Sequence, residues 1–247
     1  MLRLARNQVT KELLLAMTDD ERTVFLGLTH AENEANALSK MLYWTVNTHE
    51  ETDTEKDGRV SMLLLIVLML CIKLFEYWRL LENNFRTSLW RSHEPALPDD
   101  TRNALDNLRN YFGRRNPIHI IRDQFNVHYP TDNLSRILPR LADTMYFYRD
   151  DENDRNNLYH FADVIWAQAL ETLTGKNLET LATEIIELTV WFSLVTNGLT
   201  GQILERYRSQ HILPEPEELQ IDALPQFNEV TLPWFTIMPE ERHPGAG

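Results

Sequence analysis

Apolar positions recur at helical spacing along most of this chain. Val9, Leu13 and Met17 stand at i, i+4 and i+8 and predict one short amphipathic helix within residues 1–17. Thr18-Asp19-Asp20-Glu21 reads as a helix start, with capping side chains and acids near the positive end of the helix dipole. Phe25, Leu28, Glu32, Ala35, Leu38, Leu42 and Val46 then carry one stripe to about Asn47, with Glu32 and Asn33 as polar members beside it. Thr48 to Gly58 holds Glu50, Glu51, Asp53, Glu55 and Asp57 and no apolar residue, which predicts a mobile acidic loop. A second long helix is expected from Arg59 to about Ser92. Its first half is apolar on all sides, the pattern of a central helix covered by neighbours, and its second half turns amphipathic around Phe75-Glu76-Tyr77-Trp78. Two long helices joined this way should pack antiparallel.

The pattern breaks at Glu94-Pro95-Ala96-Leu97-Pro98. Asp99 or Asp100 caps a helix over 101–112 that Gly113 ends, and Asn116-Pro117 starts another. That helix should fray at Tyr129, because Pro130 disfavours helical geometry in the residue before it. Helices are also expected over 131–148, interrupted near Pro139, over 158–174 and over 178–208, with a polar loop at 150–157 and Gly175 as a stop. Six of the eleven prolines fall in 210–247, predicting an extended tail. It would wrap the domain through Leu213, Leu224, Phe227, Trp234 and Phe235, or dock on a partner. No strand is predicted. The expectation is an all-α antiparallel bundle with two long central helices over 1–209, followed by a proline-rich tail.

Composition narrows the class. At 247 residues and 43% hydrophobic, the chain can bury a substantial core. Eight glycines argue against turn-rich sheets and Gly-rich phosphate loops. The single cysteine, Cys71, excludes an intrachain disulfide and a Cys-based zinc site and fits a reducing, cytoplasmic setting. The N-terminal residues lack the apolar core and cleavage site of a signal peptide. Val60 to Ile72, bounded by Arg59 and Lys73, is too short to span a bilayer and reads as a buried helix.

A net charge of −13 opposes non-specific coating of nucleic acid or anionic membrane. Residues 101–149 depart from it, with eight arginines against four aspartates and no lysine. Arginine suits planar, bidentate phosphate contacts; the same residues also read as solvated faces paired with the acidic remainder. Inside this island lies Ile120-Ile121-Arg122-Asp123-Gln124-Phe125-Asn126-Val127-His128-Tyr129-Pro130. A guanidinium and an imidazole placed together can hold a phosphate and move a proton. The spacing alone is weak, since five Arg-x(4–6)-His pairs occur, against about two by chance. One of the others, Arg155-Asn156 to His160, is a second candidate. Glu76 reads as an ion-pair partner of Lys73 or Arg79, or as a pocket carboxylate. On an ideal helix Arg122 and His128 differ by about 240° in direction, so they converge only if the helix breaks before His128 or a second subunit completes the site. In the plainer alternative Arg122 pairs with Asp123 or Glu76, and His128-Tyr129 is a helix end.

No other chemistry competes. The only Glu-x-x-His pair is Glu240 to His243, in the tail, which does not make a di-iron bundle. There is no His-Glu-x-x-His, Walker loop or Gly-x-Ser-x-Gly elbow, and no recognisable DNA-reading module.

The wording around Arg122 resembles the Ile-Arg-(Asn/Asp)-x-Phe-x-x-His-Tyr cassette of bacterial helical proteins similar to the HEPN superfamily (higher eukaryotes and prokaryotes nucleotide-binding), and Asp123 fills its small polar position. Ala31-Glu32-Asn33-Glu34-Ala35-Asn36-Ala37-Leu38-Ser39-Lys40 and Lys73-Leu74-Phe75-Glu76-Tyr77-Trp78 resemble the two long helices of such proteins. The resemblance implies a homodimeric helical bundle, with the motif near the dimer seam, acting as a metal-independent endoribonuclease of toxin–antitoxin or antiphage systems, with no cofactor. It places Arg122 on the scissile phosphate, His128 as general acid or base and Asp123 as orienting group. Asn126, Tyr129, Arg115 and Glu76 would contact the RNA. Related proteins without catalysis bind a nucleotide or a protein partner. From a different class, a structural protein assembling through its acidic surface and tail also fits the composition.

Overall fold

Caps and prolines decide where the elements begin. In the computed structural model, which describes residues 2–46, 52–85, 87–125, 137–151, 154–210, 212–222, 224–226 and 229–236, Thr10 caps α1 (Lys11–Ala16) by accepting the Leu13 N–H. After α2 (Asp19–Val46), Thr52 accepts the Glu55 N–H while the Glu55 carboxylate accepts the Thr52 N–H at 2.8 Å. This capping box starts α3 (Asp53–Asn84), so much of the stretch expected as an acidic loop is helix: the acids at 53 and 55 favour the N-terminal turn rather than repelling one another out of it. Residues 47–51 lie outside the described residues.

α3 ends at Asn84, earlier than expected, and Thr87 caps a separate α4 (Ser88–His93) whose Trp90 is buried. α5 (Asp99–Phe112), α6 (Pro117–Phe125), α7 (His160–Thr174) and α8 (Leu178–Ser209) complete the helices. Gly175 closes α7 in the left-handed conformation (φ 72°), as its Gly at the stop requires. The architecture is the all-α bundle expected. α2 and α3 run antiparallel, since Glu34 meets Lys73, Glu32 meets Tyr77 and Gly27 meets Leu80. α3 is the central helix, contacted by α2, α6, α7 and α8, with Val67, Leu70, Cys71 and Leu74 fully buried. One 18-residue window of it has a mean hydropathy of 2.2, enough by length and composition to cross a membrane, and 56% of that window is buried in the bundle.

α5 and α8 cross so closely that a Cβ on Gly198 would lie 2.5–3.0 Å from three side-chain atoms of Thr101. Gly198→Ala should therefore lose about 1–2 kcal/mol despite the better helix propensity of alanine. In a Thr101→Ala background the same change should become neutral or stabilising, measured as urea midpoints; equal losses in both backgrounds would show that the contact is not the cause.

Two expectations are corrected. β1 (Leu2–Arg6) pairs antiparallel with β2 (Glu217–Ile221), Leu2 opposite Ile221 and Arg6 opposite Glu217, where none was predicted. Both strands are short and mostly exposed, so neither shows a buried alternating face, and no hairpin turn joins partners so far apart in sequence. Of the helix expected over 131–148, residues 131–136 lie outside the described residues. Ile137 is helical, and a 3₁₀ turn follows at 138–140 around Pro139. The stretch from 141 to 148 is not the expected helix but leads to the Tyr148 and Leu158 backbone bonds of 2.7 and 2.9 Å. Of the tail anchors, Leu213 joins the core, Leu224 is exposed, Trp234 and Phe235 dock, and Phe227 lies outside the described residues.

Candidate functional site

Asn116 accepts the His119 N–H at 3.0 Å and starts α6, with Pro117 in its first turn. Ile118 and Ile121 are completely buried, which seats the helix and turns Arg122 to its edge. The Arg122 guanidinium lies 4.7 Å from the centroid of the Phe75 ring on α3 and donates to the Asp123 carboxylate at 2.9 Å. Its side chain remains 39% exposed, so the two contacts orient it without withdrawing it from solvent. His119, one turn earlier on α6, meets the same Phe75 ring edge-on at 5.4 Å and the Phe112 ring at 5.9 Å. Burial holds the His119 imidazole below its usual range; Asp123 and Glu82 oppose the shift, while Arg115 and Arg122 add to it. It is therefore neutral at pH 7.

The structure thus brings Arg122 and Asp123 together. Arg115 is exposed in the α5–α6 connection, where its charge reaches His119. Glu76 is exposed on α3, next in sequence to Phe75; Lys73, one of its two expected partners, pairs with Glu34 at 2.5 Å. Among the described residues Arg122 pairs with Asp123. Asn126, His128 and Tyr129 lie outside the described residues. A half-exposed guanidinium, a ring face beneath it and a neutral imidazole nearby can hold a phosphate oxygen and accept a proton.

Three further polar clusters escaped the sequence reading. Glu21, only 3% exposed, pairs with Arg206 at 2.5 Å and accepts from Tyr207 Oη and the Thr18 N–H, each at 3.1 Å, with His93 Nε2 at 3.8 Å. Burial alone would raise the pKa of this carboxyl, but the bonds from Arg206, Thr18 and Tyr207 and the Arg206 charge bring it down to about 2. Glu32 accepts from Tyr77 at 3.1 Å, from Asn36 at 2.9 Å and from Ser193, below a groove of about 340 Å³ between α2 and α8 lined in part by Asn36, Lys40, Tyr43 and Ser193. The third joins Asp57 to Tyr148 Oη at 2.7 Å and to His160 Nε2 at 3.2 Å, which places the His of the second candidate motif in a buried polar network. Glu32 was legible beside its apolar stripe and Glu21 as a helix-start acid bonded to Thr18; the other partners of Glu21 and the partners of Asp57 lie 72 or more positions away in sequence.

No family model, curated protein or solved structure matches this chain.

Proposed function

We propose that the chain is a HEPN-like, metal-independent endoribonuclease working in the cytoplasm as a homodimer, as a toxin or antiphage component. The observation that supports this reading most is Arg122: it stands at the edge of α6, in the arginine-rich part of an acidic chain, oriented by Phe75 and Asp123 and open to solvent. In this reading Arg122 binds the scissile phosphate and stabilises its developing charge. His128 transfers the proton at the ribose 2′-hydroxyl or the leaving oxygen. Asp123 orients Arg122, and Asn126, Tyr129, Arg115 and Glu76 contact the RNA.

Incubating the purified protein with total RNA in chelator tests it. Cleavage should occur and fall at least tenfold, about 1.4 kcal/mol in barrier, in Arg122→Ala and in His128→Ala. No cleavage, or cleavage that survives both substitutions, sinks the enzyme reading. A second reading, a module without catalysis that binds a nucleotide or a protein partner such as an antitoxin, is favoured by the Asp123 carboxylate already on Arg122. It predicts saturable nucleotide or partner binding, lost in Arg122→Ala, with no turnover.

A further inference from the structure

The tail segment at 234–236 sits in a place built to receive it. Near the start of α3, a Cβ on Gly58 would lie 2.6 Å from Trp234 Cβ and 3.2 Å from Trp234 Cγ. Only a residue without a side chain lets the indole approach so closely. Phe235 packs its ring on Tyr148 at 5.9 Å, close to perpendicular. Asn156 then grips the main chain of Thr236 from both sides: its Nδ2 donates to the Thr236 carbonyl at 3.0 Å, and its Oδ1 accepts the Thr236 N–H at 3.2 Å. That pair of bonds imitates the pairing of one strand residue with its neighbour.

The receiving residues are held by their own partners, independently of the tail. Tyr148 Oη is fixed by Asp57 at 2.7 Å, and Asp57 by His160 at 3.2 Å. The Asn156 amide is oriented by Asp150 at 2.7 Å. The Tyr148–Leu158 backbone bridge holds both sides of the loop together. The recognition is tolerant of sequence. Asn156 reads backbone, and the Trp234 indole N–H is buried without a hydrogen-bond partner, so the site takes aromatic area rather than an indole in particular.

We propose that Gly58, Tyr148 and Asn156 form a binding site for an extended peptide bearing an aromatic pair, and that the chain's own Trp234-Phe235-Thr236 is its resident occupant. Release costs little chain order elsewhere, because the described residues between β2 and Trp234 form neither helix nor strand beyond one short turn. A ligand in trans would be an extended segment with two adjacent aromatic residues.

The test uses the full-length chain with Trp234→Ala and Phe235→Ala, which empties the site, and a fluorescein-labelled peptide of sequence Glu-Val-Thr-Leu-Pro-Trp-Phe-Thr, read by anisotropy. The emptied variant should bind the peptide saturably, and wild type at least tenfold more weakly, because its own segment competes. Adding Asn156→Ala or Gly58→Ala to the emptied variant should abolish binding, although Gly58→Ala favours helix. A peptide with Phe in place of Trp should bind within about threefold, since no bond to the indole N–H is lost. No binding to the emptied variant, or binding that survives Asn156→Ala and Gly58→Ala, overturns the proposal. Hydrogen exchange at the Thr236 amide checks it without emptying the site: exchange should accelerate at least tenfold in Asn156→Ala with the helices unchanged, and an unchanged rate overturns it.

Discussion

Phe192→Ala is expected to destabilise the chain by about 3–5 kcal/mol, the loss typical of a buried aromatic ring. Phe192 is completely buried on α8, stacked on Tyr77 at 4.4 Å and edge-on to Phe112 at 5.9 Å. Phe112 in turn stacks on Trp78 at 4.9 Å. The ring therefore joins α8 to both α3 and α5, and the cavity left by alanine cannot close without separating these helices. It would also open beside the buried bonds that Tyr77 makes to Glu32 and Thr196. Urea denaturation followed by circular dichroism measures the loss, with Phe192→Leu expected in between because it restores part of the volume. A loss under about 1 kcal/mol for alanine would mean that the core collapses around the site, contrary to this packing.

Acidification should act chiefly through Glu21. Its carboxyl titrates near 4.5 in the unfolded chain and at about 2 in the folded one. A carboxyl with a depressed folded pKa contributes its stability above the unfolded value and loses it as pH falls through the folded one. The drop from 4.5 to about 2 corresponds to about 3 kcal/mol, present at pH 5 and above and lost by about pH 2. Glu21→Gln should lower stability at pH 7 by about that much and flatten the dependence between pH 4.5 and 2. Arg206, with its side chain 40% exposed, can return to water in the variant. The Gln amide oxygen can still accept from Tyr207 and the Thr18 N–H, and Tyr207 also donates to the Ala16 carbonyl, so the loss is that of the charge. Identical acid slopes in wild type and Glu21→Gln would show that other carboxyls carry the effect.

Much of the bundle was legible residue by residue. The stripe from Phe25 to Leu42 is the buried face of α2. The all-round apolar run after Arg59 is the core of α3; Pro98 and Gly113 bracket α5, Pro117 starts α6 and Gly175 stops α7. The site was legible only in part. Arg122 with Asp123 is a local pair and could be named; what holds the guanidinium, the Phe75 ring on another helix, could not. His119 was visible only as one of five ordinary spacings, and its neutral state follows from burial against Phe75 and Phe112. Glu21 read as a helix-start acid, which it is, since it also accepts from Thr18; its second life as a buried carboxylate depends on Arg206 and Tyr207, some 185 residues away.

The division follows the range of the forces. Helix identity, caps and stops are set by hydrogen bonds and side-chain periodicity within a few residues, so the sequence by itself determined that this is an all-α chain with two long antiparallel central helices. Which carboxylates are desolvated, which ring lies under Arg122, that residues 2–6 pair with 217–221, and that Trp234 rests on Gly58 all depend on segments meeting from far apart. Those encounters are chosen by the packing of the whole core, and only the tertiary structure decided them.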